Sequence, residues 1–197
     1  MCSDNTRPGT SQSESFQTFR DILIQQASSS IQYGLKHGYE GKIDPQQFPQ
    51  PLQQIRSCFV TLEINGKLRG CIGTLEATRP LIADVYHNAY AVAFSDPRFP
   101  SLQEKEFPLI EIHISILGTP EPMSFESEKD LITQIRPNID GLILEAEGHR
   151  GTFLPSVWES LPDTGSFLTH LKMKAGLPGN YWSEHIRICR YTTEMIT

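Results

Sequence analysis

The chain has 197 residues, 38% of them hydrophobic and 20% charged, with a formal net charge of −6. That length supports one good core, with room for two lobes, and the acidic balance makes nucleic acid a poor partner. No apolar run approaches the ~18 residues a membrane span needs and no basic-then-apolar leader opens the chain, so the sequence predicts a cytoplasmic address without membrane insertion. The four cysteines, Cys2, Cys58, Cys71 and Cys189, are far apart and form no CxxC, which argues for reduced thiols over a disulfide framework or zinc site.

Met1 to Ser15 is too poor in apolar residues to repay ordering and reads as a mobile tail. From Phe16 the stripe Phe16, Phe19, Ile22, Leu23, Ala27 and Ile31 predicts a helix ending before Gly34. Gly38 to Pro51, with Pro45, Pro49 and Pro51, reads as an irregular loop. Cys58 to Ile64 and Lys67 to Leu75 flank Asn65-Gly66, the strongest short-range hairpin signal in the chain.

This hairpin carries the only segment that looks built for chemistry, Leu68-Arg69-Gly70-Cys71-Ile72-Gly73. Strand alternation points Arg69 and Cys71 the same way, roughly 6.6 Å apart at Cα, where the guanidinium favours the thiolate. A two-residue turn would set Leu62 against Arg69 and Val60 against Cys71; a bulge would shift that pairing by one. Either way, an enclosed Arg69 needs a carboxylate or an anion, and Gly70 and Gly73 point to a bulge or to close approach by a backbone or ligand. A lone cysteine in an apolar strand also packs as a small hydrophobe.

Thr78 to Ala93 predicts a helix with Leu81, Ile82, Val85, Ala89 and Val92 inward, and Asp96-Pro97-Arg98-Phe99-Pro100 a rigid structural corner. Ile110, Ile112, Ile114 and Ile116 alternate with Glu111, His113, Ser115 and Leu117 in a half-buried antiparallel strand. If its polar row lines a cleft, Glu111 and His113 are acid/base candidates; a solvated face is the other reading. Glu126 to Ile135 reads as a helix, Gly141 to Glu145 and Arg150 to Leu154 as a second hairpin turned at Glu147-Gly148, Ser156 to Leu161 as a short helix, a helix starting at Thr164 or Ser166 closes at Gly176, and Ser183 to Ile196 forms a final strand. His170 to Lys174 reads as a solvated basic face. The sum is an α+β fold, two-lobed, of mainly antiparallel sheets flanked by helices. Common nucleotide, metalloprotease and hydrolase motifs are missing, and no histidine pair has helical ligand spacing, so no cofactor or metal is expected.

Leu68 to Gly73, then Ala93, Asp96-Pro97-Arg98-Phe99, Arg150 followed by Gly151 to Pro155, Lys174-Ala175-Gly176-Leu177-Pro178 and Trp182 together resemble the AMMECR domain family, whose prokaryotic members are called AmmeMemoRadiSam system protein A. The resemblance covers residues 16 to 197 as one domain of two lobes. It implies a hexapeptide directed toward the interface between lobes, and association with Memo-type and radical S-adenosylmethionine proteins. Met173 departs from the many members with a small residue or cysteine there, which argues against a second thiol. It implies no settled reaction, so two readings stand. In the favoured one the chain is a binding or partner module with a ligand cleft at the hexapeptide, formed by Arg69, Gly70, Cys71, Gly73 and Arg150. In the alternative it is an enzyme with Cys71 as nucleophile or redox thiol, Arg69 as anion binder, and His113 or Glu111 moving protons.

Overall fold

The computed structural model describes the chain from Thr10 to Thr197, and its side chains from Thr18 onward. Within it the chain divides into two compact units, one running to Ile116 and including Met195–Thr197, the other Leu117–Glu194. Each has its own apolar core. Four helices and two four-stranded antiparallel sheets make the fold α+β.

In the first unit, helices α1 (Thr10–His37) and α2 (Leu81–Phe94) cover one face of a sheet with strand order β2-β1-β3-β8. The strands are β1 (Cys58–Ile64), β2 (Lys67–Gly73), β3 (Ile110–Leu117) and β8 (Thr193–Ile196). The expected stripe is buried: Leu23, Ala27 and Ile31 of α1 meet Ile82, Val85, Ala89 and Val92 of α2 over Val60, Leu62 and Ile114. Two corrections concern α1. It begins at Thr10, inside the stretch read as a tail, whose first nine residues lie outside the described ones. It also runs through Gly34, because the rings of Phe94 and Tyr90 on α2 lie where a Cβ would stand there. That glycine serves close helix packing and does not stop the helix.

Helix α2 is tied to the sheet by a buried polar group. Asp84 accepts from the Cys58 backbone N–H at 2.9 Å, the Asn88 amide at 3.0 Å and the Thr74 hydroxyl at 3.3 Å. The Asn65-Gly66 turn has φ of 53° and 69°, the paired positive angles of a two-residue hairpin loop. From Asp44 to Gln54 the chain makes only single helical turns, as its prolines dictate.

The second unit orders its strands β4-β7-β5-β6, with β4 Glu121–Pro122, β5 Gly141–Ala146, β6 His149–Phe153 and β7 Arg187–Tyr191. Helix α3 (Glu128–Gln134) is capped by Ser127, and α4 (Thr164–Lys174) by Asp163. Trp158 stacks on Phe167 in this core at 3.8 Å between ring centroids. The predicted final strand is two: β7 joins this sheet, and after Thr192 β8 joins the first. The basic cluster on α4 is solvated only in part: His170 and Lys174 are exposed as expected, and Lys172 is the exception. Lys172 is fully buried, its ammonium 2.6 Å from the Glu128 carboxylate, because its stem packs inward with Phe167, Leu168 and Leu171. Among the described residues no helix is long and apolar enough to cross a membrane.

Candidate functional site

The hexapeptide forms β2, an edge strand, and the local register decides where its side chains go. A bulge falls between Leu62 and Glu63: Glu63 faces Leu68 while Leu62 already faces Gly70, leaving Arg69 as the additional residue. Beyond it Thr61 faces Cys71 and Val60 faces Ile72. The bulged register therefore holds, and neither Arg69 nor Cys71 lies opposite the core aliphatics Leu62 and Val60. Gly70 and Ile72 take those places.

Released from the core face, Arg69 is enclosed at the strand edge by the segment that follows α2. Its Nε donates to Glu106 Oε1 at 2.8 Å, and its Nη2 to Glu106 Oε2 at 3.3 Å and to the Pro100 carbonyl at 2.9 Å. The two-point contact is the geometry guanidinium and carboxylate favour. Arg69 holds the Glu106 carboxyl below its usual range, against the opposing effect of burial. Both Arg69 and Arg98 lie over the ring of Phe99, at 5.8 and 5.5 Å.

A second clamp holds the backbone of Cys71. Edge strands leave alternate N–H and C=O groups without a neighbouring strand. Here Asp96 Oδ2 accepts from the Cys71 N–H at 3.0 Å and Arg98 Nη2 donates to the Cys71 carbonyl at 3.0 Å, so two side chains occupy the positions a further strand would fill. The carboxylate and guanidinium also bond each other, at 2.7 and 3.0 Å. Those Arg98 bonds, joined by the Cys71 and Arg98 backbone N–H groups, hold the buried Asp96 carboxyl far below the ordinary range.

The thiol faces away from the core. Cys71, Thr61 and His113 lie side by side across β2, β1 and β3, and the Thr61 hydroxyl donates to Cys71 Sγ at 3.2 Å. With β1 between them, Cys71 and His113 are separated by two strand spacings, roughly 9.5 Å. His113 Nε2 is buried without a hydrogen bond, 3.7 Å from Glu63 Oε2. Glu111 is exposed and opposite Glu63. The structure thus brings Cys71, His113 and Glu111 onto one sheet without joining them as nucleophile and base. Glu106, Arg98, Asp96 and Thr61 are the partners the sequence reading did not assign to this site.

A family model described as AMMECR1 matches residues 24–196. The chain belongs to the AMMECR1 family. Among similar AMMECR1 relatives, a protein of Methanothermobacter thermautotrophicus is 39% identical over 179 residues, 88% of this chain and 91% of its own. One from Methanocaldococcus jannaschii is 36% identical over 188 residues, 89% of this chain and 92% of its own. The crystal structure of an uncharacterized protein from Pyrococcus horikoshii matches with a TM-score of 0.83 at 31% identity over 90% of both chains.

The remaining candidates of this AMMECR1 chain fall elsewhere. A Cβ on Gly70 would lie 2.8 Å from Val92 Cγ2 and 3.0 Å from the Val92 carbonyl, so this glycine admits α2. At Gly73 the close neighbours are the Cys58 carbonyl and Phe59. Neither glycine opens space for a ligand. Arg150 is on β6 in the second unit, 3.3 Å from Glu145, on an open cavity of about 640 Å3 that His149, His185 and Arg187 also line. Among the described residues no group of three or more His, Cys, Asp or Glu side chains is placed to hold a metal.

Proposed function

We propose that this AMMECR1-family protein is a binding or partner module acting with Memo-type and radical S-adenosylmethionine proteins, and that its ligand face is built on the Leu68–Gly73 strand. The observation that carries this reading is the internal commitment of the groups around Cys71. Arg69 is neutralised by Glu106, the Cys71 backbone is clamped by Asp96 and Arg98, and the sulfur has a threonine hydroxyl beside it. A nucleophilic thiol needs a base within reach or an uncompensated cation, and this arrangement provides neither. It does provide an edge strand held at Arg69 and at the Cys71 backbone, although Arg69 Nη1 is buried without a hydrogen bond, and such a held strand suits recognition. The partner class rests on the family resemblance.

Two measurements on the purified protein test this. Calorimetric titration against a purified Memo-type protein and a radical S-adenosylmethionine protein from the same organism is expected to give saturable binding to at least one. Cys71→Ser should leave that affinity unchanged, and Cys71 should react with iodoacetamide near neutral pH at a rate comparable to half-buried Cys189. Cys58 is the protected reference, since burial pushes its thiol well up. Binding to neither protein, or a Cys71 that reacts orders of magnitude faster than Cys189, would overturn the proposal; the second result would support the enzyme reading.

A further inference from the structure

The first unit contains a concavity of its own, built from residues other than the hexapeptide and its clamps. A cavity of about 480 Å3 opens between the C-terminal half of α1, the Lys42–Phe48 segment and Tyr86 of α2. That volume is within the range of small-molecule sites, roughly 300–1,000 Å3. Tyr33, Phe48 and Tyr86 give it three aromatic walls, and Ile43 adds an aliphatic one. Such walls select a flat ring, which gains from stacked or edge-on contact.

Its polar groups divide sharply by whether they are already used. The Tyr33 hydroxyl bonds that of Tyr39 at 3.3 Å. Asp44, the cavity's carboxylate, accepts from the Gln46 N–H at 3.1 Å and the Gln47 amide at 3.3 Å as the cap of a helical turn. By contrast, the Gln26 amide, the Ser29 hydroxyl and the Lys42 ammonium have no partner among the described residues. Lys42 has no ion-pair partner among the described residues, and although the Asp44 carboxylate on the same lining keeps its charge, both its oxygens are bonded within its own turn; this cation, two neutral hydrogen-bonding groups and aromatic walls line one space. We infer that this cavity is a binding site for a small aromatic carboxylate, with the ring between the aromatic walls, the carboxylate on Lys42, and ring substituents bonded by Gln26 and Ser29. This ligand site is distinct from the partner-binding face built on the Leu68–Gly73 strand.

The probe is 4-hydroxybenzoate, with 4-hydroxybenzamide as its uncharged counterpart, titrated into the full-length protein and followed by amide chemical shifts. Saturable shifts are expected at residues 26–33 and 42–48. Lys42→Met should weaken 4-hydroxybenzoate by about tenfold and leave 4-hydroxybenzamide unchanged. Phe48→Ala should weaken both; since Phe48 also packs against the core, the exposed Lys42 variant is the one that decides if that variant unfolds. The inference is overturned if no saturable shift appears up to about 10 mM, if the shifts map elsewhere, or if Lys42→Met binds the carboxylate as well as the parent does. Cys71→Ser is expected to bind 4-hydroxybenzoate normally, so failure here and failure of the partner-module reading are separate results.

Discussion

Replacing Asp96 by alanine removes the group that holds both the edge of β2 and the start of the segment after α2. Four donors lose their acceptor: the backbone N–H groups of Cys71 and Arg98, and Nε and Nη2 of Arg98. The Arg98 side chain is 53% exposed and water replaces the carboxylate there, so its two bonds count for little. The backbone donors are less well served, because Asp96 itself is 4% exposed and the space it leaves is enclosed. Hydrogen bonds to a charged acceptor contribute about 1.5–3 kcal/mol each and are not additive, so the loss should be about 2–4 kcal/mol. For a chain of this size that is a fall in Tm of roughly 5–15 °C, read by far-UV circular dichroism at pH 7. The pH dependence supplies an independent check. The folded-state pKa of Asp96 is depressed, chiefly by Arg98, so its contribution is fully present above the unfolded value near ~3.9 and is lost as pH falls through the folded one. The difference in stability between parent and variant should therefore stay constant from neutral pH to about 5 and narrow below about 4. An unchanged Tm at pH 7, or a difference that widens on acidification, would refute the clamp.

Gly70→Ala should destabilise by roughly 1–3 kcal/mol, because the new Cβ meets the Val92 side chain at 2.8 Å and its carbonyl, which cannot move aside cheaply, at 3.0 Å; a Tm equal to the parent's would show that α2 does not need the gap. The Lys172–Glu128 pair should respond asymmetrically. Glu128→Ala leaves a fully buried ammonium without its counterion and should cost about 2–3 kcal/mol, whereas Lys172→Met leaves a carboxylate that is 36% exposed and should be close to neutral. A urea denaturation series in which Lys172→Met is the more damaging change would contradict this.

Local pattern alone determined the elements whose signals lie within a few residues of each other. Asn65-Gly66 placed the first hairpin, Glu147-Gly148 the second with φ of 50° and 79°, and the apolar stripes on α1 and α2 named the residues that form the first core. The need for an Arg69 counterion was also legible, since an enclosed guanidinium without one is too costly in any fold. Which carboxylate answers that need was not. Glu106 lies 37 residues away in an unremarkable charged stretch, and only the path of the chain after α2 brings it to the edge of β2. The bulge at Arg69 was equally a tertiary decision. It lets the core face take Gly70 against Val92 and sends Cys71 to the opposite side; Gly70 raised a bulge as one reading, but the local sequence did not choose between that register and the regular one. The same holds for Lys172: by sequence it is one of two lysines on a short helix, and it is buried because α3 places Glu128 over it. Periodicity reports which side of an element is apolar, a property of neighbouring residues. Charge partners, bulges and the unpartnered groups that line a cavity depend on distances between segments far apart in the chain, and those are fixed only when the cores close.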